Sequence, residues 1–432
     1  MGMRRRKLAG VLIAGTMLLL LAACALFETP DLDVGMEGAI AVVTGEVLPD
    51  VVPQGATYIC LRLDDPLPPG SVVEEDAPAG QAAAQGLAAP KALTLGEQSY
   101  LFFLDLAPGT YYEHDVKYIV VGKNGAYQVM DGRWWPKVNG QVPEPFRATV
   151  PAAEHIIAGN AELEEATGVV MQFEFPLLQR LGEGFIVVQG LMSHENLFSD
   201  ANATYLNGIA FFNAYKSGFS EVEGLVQGQA ANVLTEIDNM VAAKLSTITI
   251  YIIAHGGVDG VRLGGVWFTA QQFHDKMAEY PNTAFNFLLG SCHGGSFIDN
   301  LNTLSNVRVV KTACAADEGA APDRDSLDGV TDHNTEDTGS EWTSSLLRAA
   351  ELIANSSSRW SQMQSLATTH KVPVTSVLLD AAGHAALGNS ASLGLTQDLD
   401  LTHRTGRTTP QSYRSWLILI PMIPIMPIVP LI

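Results

Sequence analysis

The sequence predicts an α/β protein in which a mostly parallel sheet, covered by helices on both faces, follows an all-β sandwich. Two observations carry that expectation. From Gly184 onward, short and fully apolar runs alternate with helix-patterned stretches, as in a sheet buried on both sides. Before it, from residue 28 to about 178, β-branched and aromatic runs are separated by Gly/Pro turns. The chain has 432 residues, enough for more than one core, and its 47% hydrophobic and 16% charged residues fit a globular protein.

The elements follow in order. Met1–Lys7 is basic and Leu8–Leu21 is an apolar run too short to span a bilayer comfortably. It ends in Leu21-Ala22-Ala23-Cys24, which resembles the bacterial lipobox. The resemblance implies removal of residues 1–23, lipid on Cys24, and a chain held at a membrane of the cell envelope. That membrane would be the outer membrane or cell surface, with the protein facing away from the cytoplasm. Residues 24–178 then form the β unit and linker. Ile40–Val43, Tyr58–Leu61, Tyr100–Leu104 and Tyr118–Val121 read as strands, and 66–96, rich in Pro, Ala and Gly, as a long loop. The Leu106–Tyr111 turn is similar to the hairpin of prealbumin-like or carboxypeptidase-regulatory sandwiches. Val169–Phe175 either closes the sandwich or starts the linker.

Residues 179–400 form the α/β unit. Phe185–Val188, Thr247–Ile253, Phe285–Leu289 and Val307–Val310 read as buried strands. Helices are expected at 203–216, at 224–244 (Leu225, Val233, Ile237 and Val241 on one face) and at 269–279. A last helix is expected at Glu341–Asn355. In the 401–432 tail, Pro421, Pro424, Pro427 and Pro430 recur every third residue, the polyproline II period, which excludes a regular transmembrane helix.

Charge narrows the partners. With 25 Lys+Arg against 46 Asp+Glu the net charge is −21, so nucleic acid is excluded as a partner. Loss of Arg4, Arg5, Arg6 and Lys7 with the leader makes the chain more acidic still. Of four cysteines, Cys24 is assigned to lipid, and the odd remainder leaves at least one free thiol. Cys60, in an apolar run, and Cys314 read as packing residues.

Cys292 sits in a different setting. One apolar strand runs into Ala254-His255-Gly256-Gly257 and another into Gly290-Ser291-Cys292-His293-Gly294-Gly295. In a parallel sheet the ligand crevice lies beyond the carboxyl ends of the strands. If these two strands are neighbours, His255 and Cys292 emerge side by side. His255 then acts as base or imidazolium for the thiol, and a helix starting near Gly295 adds partial positive charge. The amides of Gly256 and Cys292 supply an oxyanion hole. His255, Cys292 and His293 lack a standard zinc-ligand spacing.

This pair of motifs resembles the caspase-like cysteine peptidases, which include metacaspases, legumain-type and clostripain-type enzymes and the related CHAT domains. Thr312–Glu318 and Gly339–Thr343 add to the likeness, which spans about residues 184–356. It implies a three-layer α/β/α fold and a His255/Cys292 dyad with no obligatory third residue. Two departures concern specificity. Gly290 stands where metacaspases and legumains carry an acid, so a basic P1 preference does not transfer, although Asp317 or Glu318 offers a replacement charge. The Arg by which caspases take Asp is absent from Gln189–His194.

The acidic loop Asp323–Glu341 admits two readings. Asp323, Asp325 and Asp328 come near the start of an EF-hand, but the register is off by one and Asn334 stands at the last ligand place. The other reading is a solvated loop, cleavable at Arg324 within 318–341. The chemistry requires no cofactor, and calcium is the one candidate. The sequence thus reads as a membrane-anchored cysteine-type endopeptidase acting on a peptide or protein. The alternatives are a transpeptidase of the same fold and a surface binding lipoprotein with a vestigial dyad.

Overall fold

The computed structural model describes residues 33–85, 91–108, 113–148, 150–161, 163, 170–175, 178–193, 195, 197–217, 219–221, 225–229, 232–320, 341–386 and 411–415. Its N-terminal unit begins with helix α1, built from Gly35–Val42, the π-turn Val43–Val47 and Leu48–Val51. This corrects the strand expected at Ile40–Val43. Ala39, Val43 and Val47 recur every four residues and are buried, so packing on one helical face overrides the strand preference of the valines.

Below α1 lies an antiparallel five-stranded sheet, in the order β6-β5-β4-β1-β8. It comprises β1 (Ile59–Arg62), β4 (Ser99–Asp105), β5 (Val116–Gly122), β6 (Tyr127–Gly132) and β8 (Ile156–Gly159). Alternation decides its two faces. Cys60, Tyr100, Phe102 and Leu104 meet α1, whereas Ile59, Leu61, Leu101 and Phe103 face a second core. Across that core stands a three-stranded sheet of β2 (Val72–Glu75), β3 (Ala92–Thr94) and β7 (Pro136–Val138). The stretch expected to be one long loop therefore contains β2, β3 and the short helix α2 (Gln81–Gln85). The unit is a sandwich of two sheets with a helix on its outer face, so it is not all-β.

The second unit is a mixed six-stranded sheet, ordered β12-β10-β13-β17-β18-β19. After the small pair formed by β9 (Leu178–Leu181) and β11 (Phe219–Glu221), its parallel members are β10 (Glu183–Gln189), β12 (Leu225–Gln229), β13 (Thr247–Ile253), β17 (Ala284–Gly290) and β18 (Val307–Thr312). Antiparallel β19 (Gln411–Arg414) pairs with β18. Thus the sheet's last strand comes from the stretch assigned to the tail. Leu225 lies in β12, not in a helix, and the helix described in that region is Val233–Ala242. The glycines at 224 and 228 interrupt the longer pattern.

Helices cover both faces. On one side are α3 (Phe198–Ser217), α7 (Glu341–Asn355), α8 (Ser357–His370) and α9 (Val374–Ala386). Phe185, Val187, Tyr251, Leu288 and Val309 point into this layer. On the other are α4 (Val233–Ala242), α5 (Ala270–Ala278) and α6 (Ser296–Leu301), over Ile186, Val188, Ile250, Ile252, Phe287 and Val310. The helix expected to be last is followed by α8 and α9. Met171 and Phe173 belong to the first layer's core, so the undecided stretch before Phe175 packs on this unit. Between β13 and α5 a meander projects: β14 (His255–Gly257), β15 (Gly260–Leu263) and β16 (Val266–Thr269). Among the described residues no helix is long and apolar enough to cross a membrane.

Candidate functional site

β13 and β17 are parallel neighbours, with Ile253 opposite Gly290. His255 and Cys292 each lie two residues beyond these partners, so both emerge at the same edge of the sheet. The chains touch there: a Cβ added to Gly256 would stand 2.0 Å from the Cys292 carbonyl oxygen and 3.0 Å from Ser291 Oγ. Only glycine allows that approach. His255, Gly256 and Cys292 are therefore brought together. Cys292 occupies the turn between β17 and α6, and α6 is short and starts at Ser296.

Each group is held by identifiable neighbours. Cys292 Sγ accepts the Ala320 amide at 2.7 Å. The loop that carries Ala320 is itself fixed to the nucleophile turn, since His293 N–H donates to the Glu318 carbonyl (2.8 Å) and Gly295 N–H to the Cys314 carbonyl (3.0 Å). His293 adopts φ 55° and its Nδ1 lies 2.8 Å from the Ala316 carbonyl, while burial lowers its pKa. Cys314 rests against the carbonyls of Ser291 (3.3 Å) and Glu318 (3.2 Å), its thiol pushed up to about 12 by burial. Burial also raises the Cys60 thiol inside the β unit. Both are chemically quiet at neutral pH.

Asp317 is exposed, and Glu318 Oε2 accepts the Ala315 amide at 3.2 Å, which closes its own loop. At Gly290, a Cβ would meet Ile253 Cδ1 at 2.7 Å and Thr343 Oγ1 at 3.1 Å, so no acid fits there without a shift. Cys24, Asp323, Asp325, Asp328 and Arg324 lie outside the described residues.

Sequence reasoning missed what the β unit brings to the site. Trp135 lies 5.0 Å from the His255 ring and Trp134 6.2 Å, centroid to centroid. Arg262, the cross-strand partner of His255, has its guanidinium 5.2 Å from the Trp134 ring and 6.0 Å from Trp135. That guanidinium is 1% exposed and ion-paired to Asp76 (2.7 Å) and Glu195 (2.9 Å). Lys137 joins Asp76 at 2.6 Å. The Glu113 amide donates to the Gly256 carbonyl at 3.1 Å. Gln81 links the Glu113 carboxylate to the Trp134 indole, which donates to Gln81 Oε1 at 2.8 Å. Burial raises the Glu113 carboxyl, and the nearby Arg133 opposes that shift. His255 and Cys292 are both 0% exposed, His255 against the two tryptophans of the β unit and Cys292 within the core of its own unit and against Ala320. A cleft of about 1350 Å³ is lined by both units, with Glu113 and Trp134 of the β unit and Val258 and Trp267 of the α/β unit among its walls. The only sequence signal was an adjacent pair of tryptophans, with nothing local to say what they face.

No family model matches the chain, and no curated protein does. Among solved structures it is similar to "Crystal Structure of Caspase-1 from Spodoptera frugiperda", at 8% identity and a TM-score of 0.31, over 58% of this chain and 94% of that chain.

Proposed function

We propose that the chain is a cysteine-type endopeptidase, held by lipid on Cys24 at the outer membrane or cell surface, facing away from the cytoplasm, and cutting peptide or protein substrates. The observation that supports it is the β13–β17 register, which sets His255 and Cys292 at one strand edge with Gly256 against the Cys292 backbone. In this scheme His255 takes the thiol proton as Cys292 Sγ attacks the scissile carbonyl, and the Gly256 and Cys292 amides face the developing oxyanion. The proton passes to the leaving amine as the C–N bond breaks. Water, deprotonated by His255, then hydrolyses the thioester and restores the thiol. Passing the acyl group to an amine instead of water would make the same site a transpeptidase. The chemistry uses no metal, and calcium on Asp323, Asp325 and Asp328 would act on the loop alone.

The test is a panel of fluorogenic peptides with Arg, Lys, Asn or Asp at P1, given to the full chain in detergent, with and without calcium. Turnover that disappears in Cys292→Ala supports the proposal and names the pocket. Turnover that persists in that variant rejects it.

A further inference from the structure

Taking the dyad as the working site, the arrangement over it has a consequence for control. A substrate carbonyl must reach Cys292 Sγ and its leaving amine must reach His255, yet neither residue has any exposed surface. On the histidine side the other unit contributes four groups. Trp134 and Trp135 lie on the imidazole, Asp76 grips Arg262 in the adjacent strand, and the Glu113 amide takes the Gly256 carbonyl. These are not the contacts of a wall behind a pocket, because they occupy the two strands that carry the dyad histidine and its cross-strand partner.

The same surface holds features of a joint that can part. Arg262 is gripped from both sides, by Asp76 of the β unit and by Glu195 of the α/β unit. If the units separate, Glu195 stays with Arg262 and Lys137 stays with Asp76, so neither charge is left alone. A wide cleft lined by both units, Glu113 and Trp134 included, lies along this surface.

We infer that the N-terminal β unit is an inhibitory cover, and that the chain as folded is a latent form which works only after Trp134, Trp135 and Asp76 lift from the His255–Arg262 strand pair.

Two measurements on the full chain test this. The first is amide hydrogen exchange of the unaltered protein. The Glu113 amide should exchange about tenfold or more faster than the core amides of β4 and β13, through an opening that leaves both units folded. Exchange of all three sets together, only through global unfolding, would overturn the cover. The second is modification of histidines by diethyl pyrocarbonate, mapped by mass spectrometry, in the wild type and in Trp134→Phe/Trp135→Phe and Trp134→Ala/Trp135→Ala. His255 should be protected in the wild type and react in the variants, while Cys60 and Cys314 stay closed to iodoacetamide as a control for folding. Reaction of His255 in the wild type as fast as His293, or protection unchanged in a folded variant, would also overturn it. The peptidase reading fails separately: an opened chain whose His255 reacts, but whose Cys292 neither turns over peptides nor takes a thiol probe, keeps the cover and loses the enzyme.

Discussion

The two units teach opposite lessons about how a site is built. The α/β unit makes its part of the site by local means: two apolar strands pair in parallel and run on into Gly-flanked His255 and Cys292. The β unit contributes side chains that mean nothing in their own neighbourhood. Trp134 and Trp135 follow the sixth strand and acquire their role only where the meander of the other unit inserts against them, with Trp267 completing the β unit's own core. On the proposed reading, reactivity is encoded within one unit and access between units.

That contrast can be sharpened by substitution, beginning with the largest effect. In the chain opened by Trp134→Ala/Trp135→Ala, Cys292→Ala should lower peptide turnover on the order of a thousandfold, about 4 kcal/mol of barrier, in a protein that still folds. Equal turnover would place the nucleophile elsewhere. Asp76→Ala acts between the units and leaves Arg262 without its β-unit carboxylate. It should cost about 3 kcal/mol in urea denaturation while Cys292 becomes more reactive. A loss of stability with no gain in reactivity would mean that the joint is purely structural.

Gly256→Ala acts within the α/β unit, forcing a methyl to within 2.0 Å of the Cys292 carbonyl. It should cost roughly 1–3 kcal/mol, read as a lowered urea midpoint, and abolish turnover by moving the two strand ends apart.

The smallest effect concerns pH. Burial raises the Glu113 carboxyl in the closed form, with Glu75 acting in the same direction, and Arg133 and Gln81 opposing. When the cover lifts, the carboxyl returns to its ordinary value. Closure therefore gains from Glu113 fully below that ordinary value and loses the gain as pH rises through the raised one. Opening, followed by exchange of amide 113 corrected for intrinsic rate, should become easier between mildly acidic and neutral pH, and Glu113→Gln should flatten the profile. An unchanged profile in the variant would remove Glu113 from the joint.

The limits of the sequence follow the same division. Thr247–Ile253 and Phe285–Leu289 were legible because a strand buried on both faces must be apolar throughout, and the reactive residues stand at their ends. Leu225 was misread because one leucine fits a helical stripe as well as a strand. Ile40–Val43 was misread because valine's strand preference is weak against a sheet that needs covering. The partners of His255 were illegible for another reason: Trp134 and His255 are separated by more than a hundred residues, and no period or cap connects them. Glu195 shows both sides. The absence of Arg from Gln189–His194 was visible, but not that Arg262 would be delivered to the neighbouring Glu195 from the meander.

The central claim is that Cys292, and no other thiol, is a nucleophile prepared by His255. The most direct measurement is exposure of the full chain, opened by Trp134→Ala/Trp135→Ala, to a peptidyl chloromethyl ketone at neutral pH, with the modified cysteines mapped by mass spectrometry. The account predicts alkylation at Cys292 well ahead of Cys60 and Cys314, slowed by His255→Ala in the folded protein. Alkylation of Cys292 no faster than Cys314, or at a rate indifferent to His255, would contradict it.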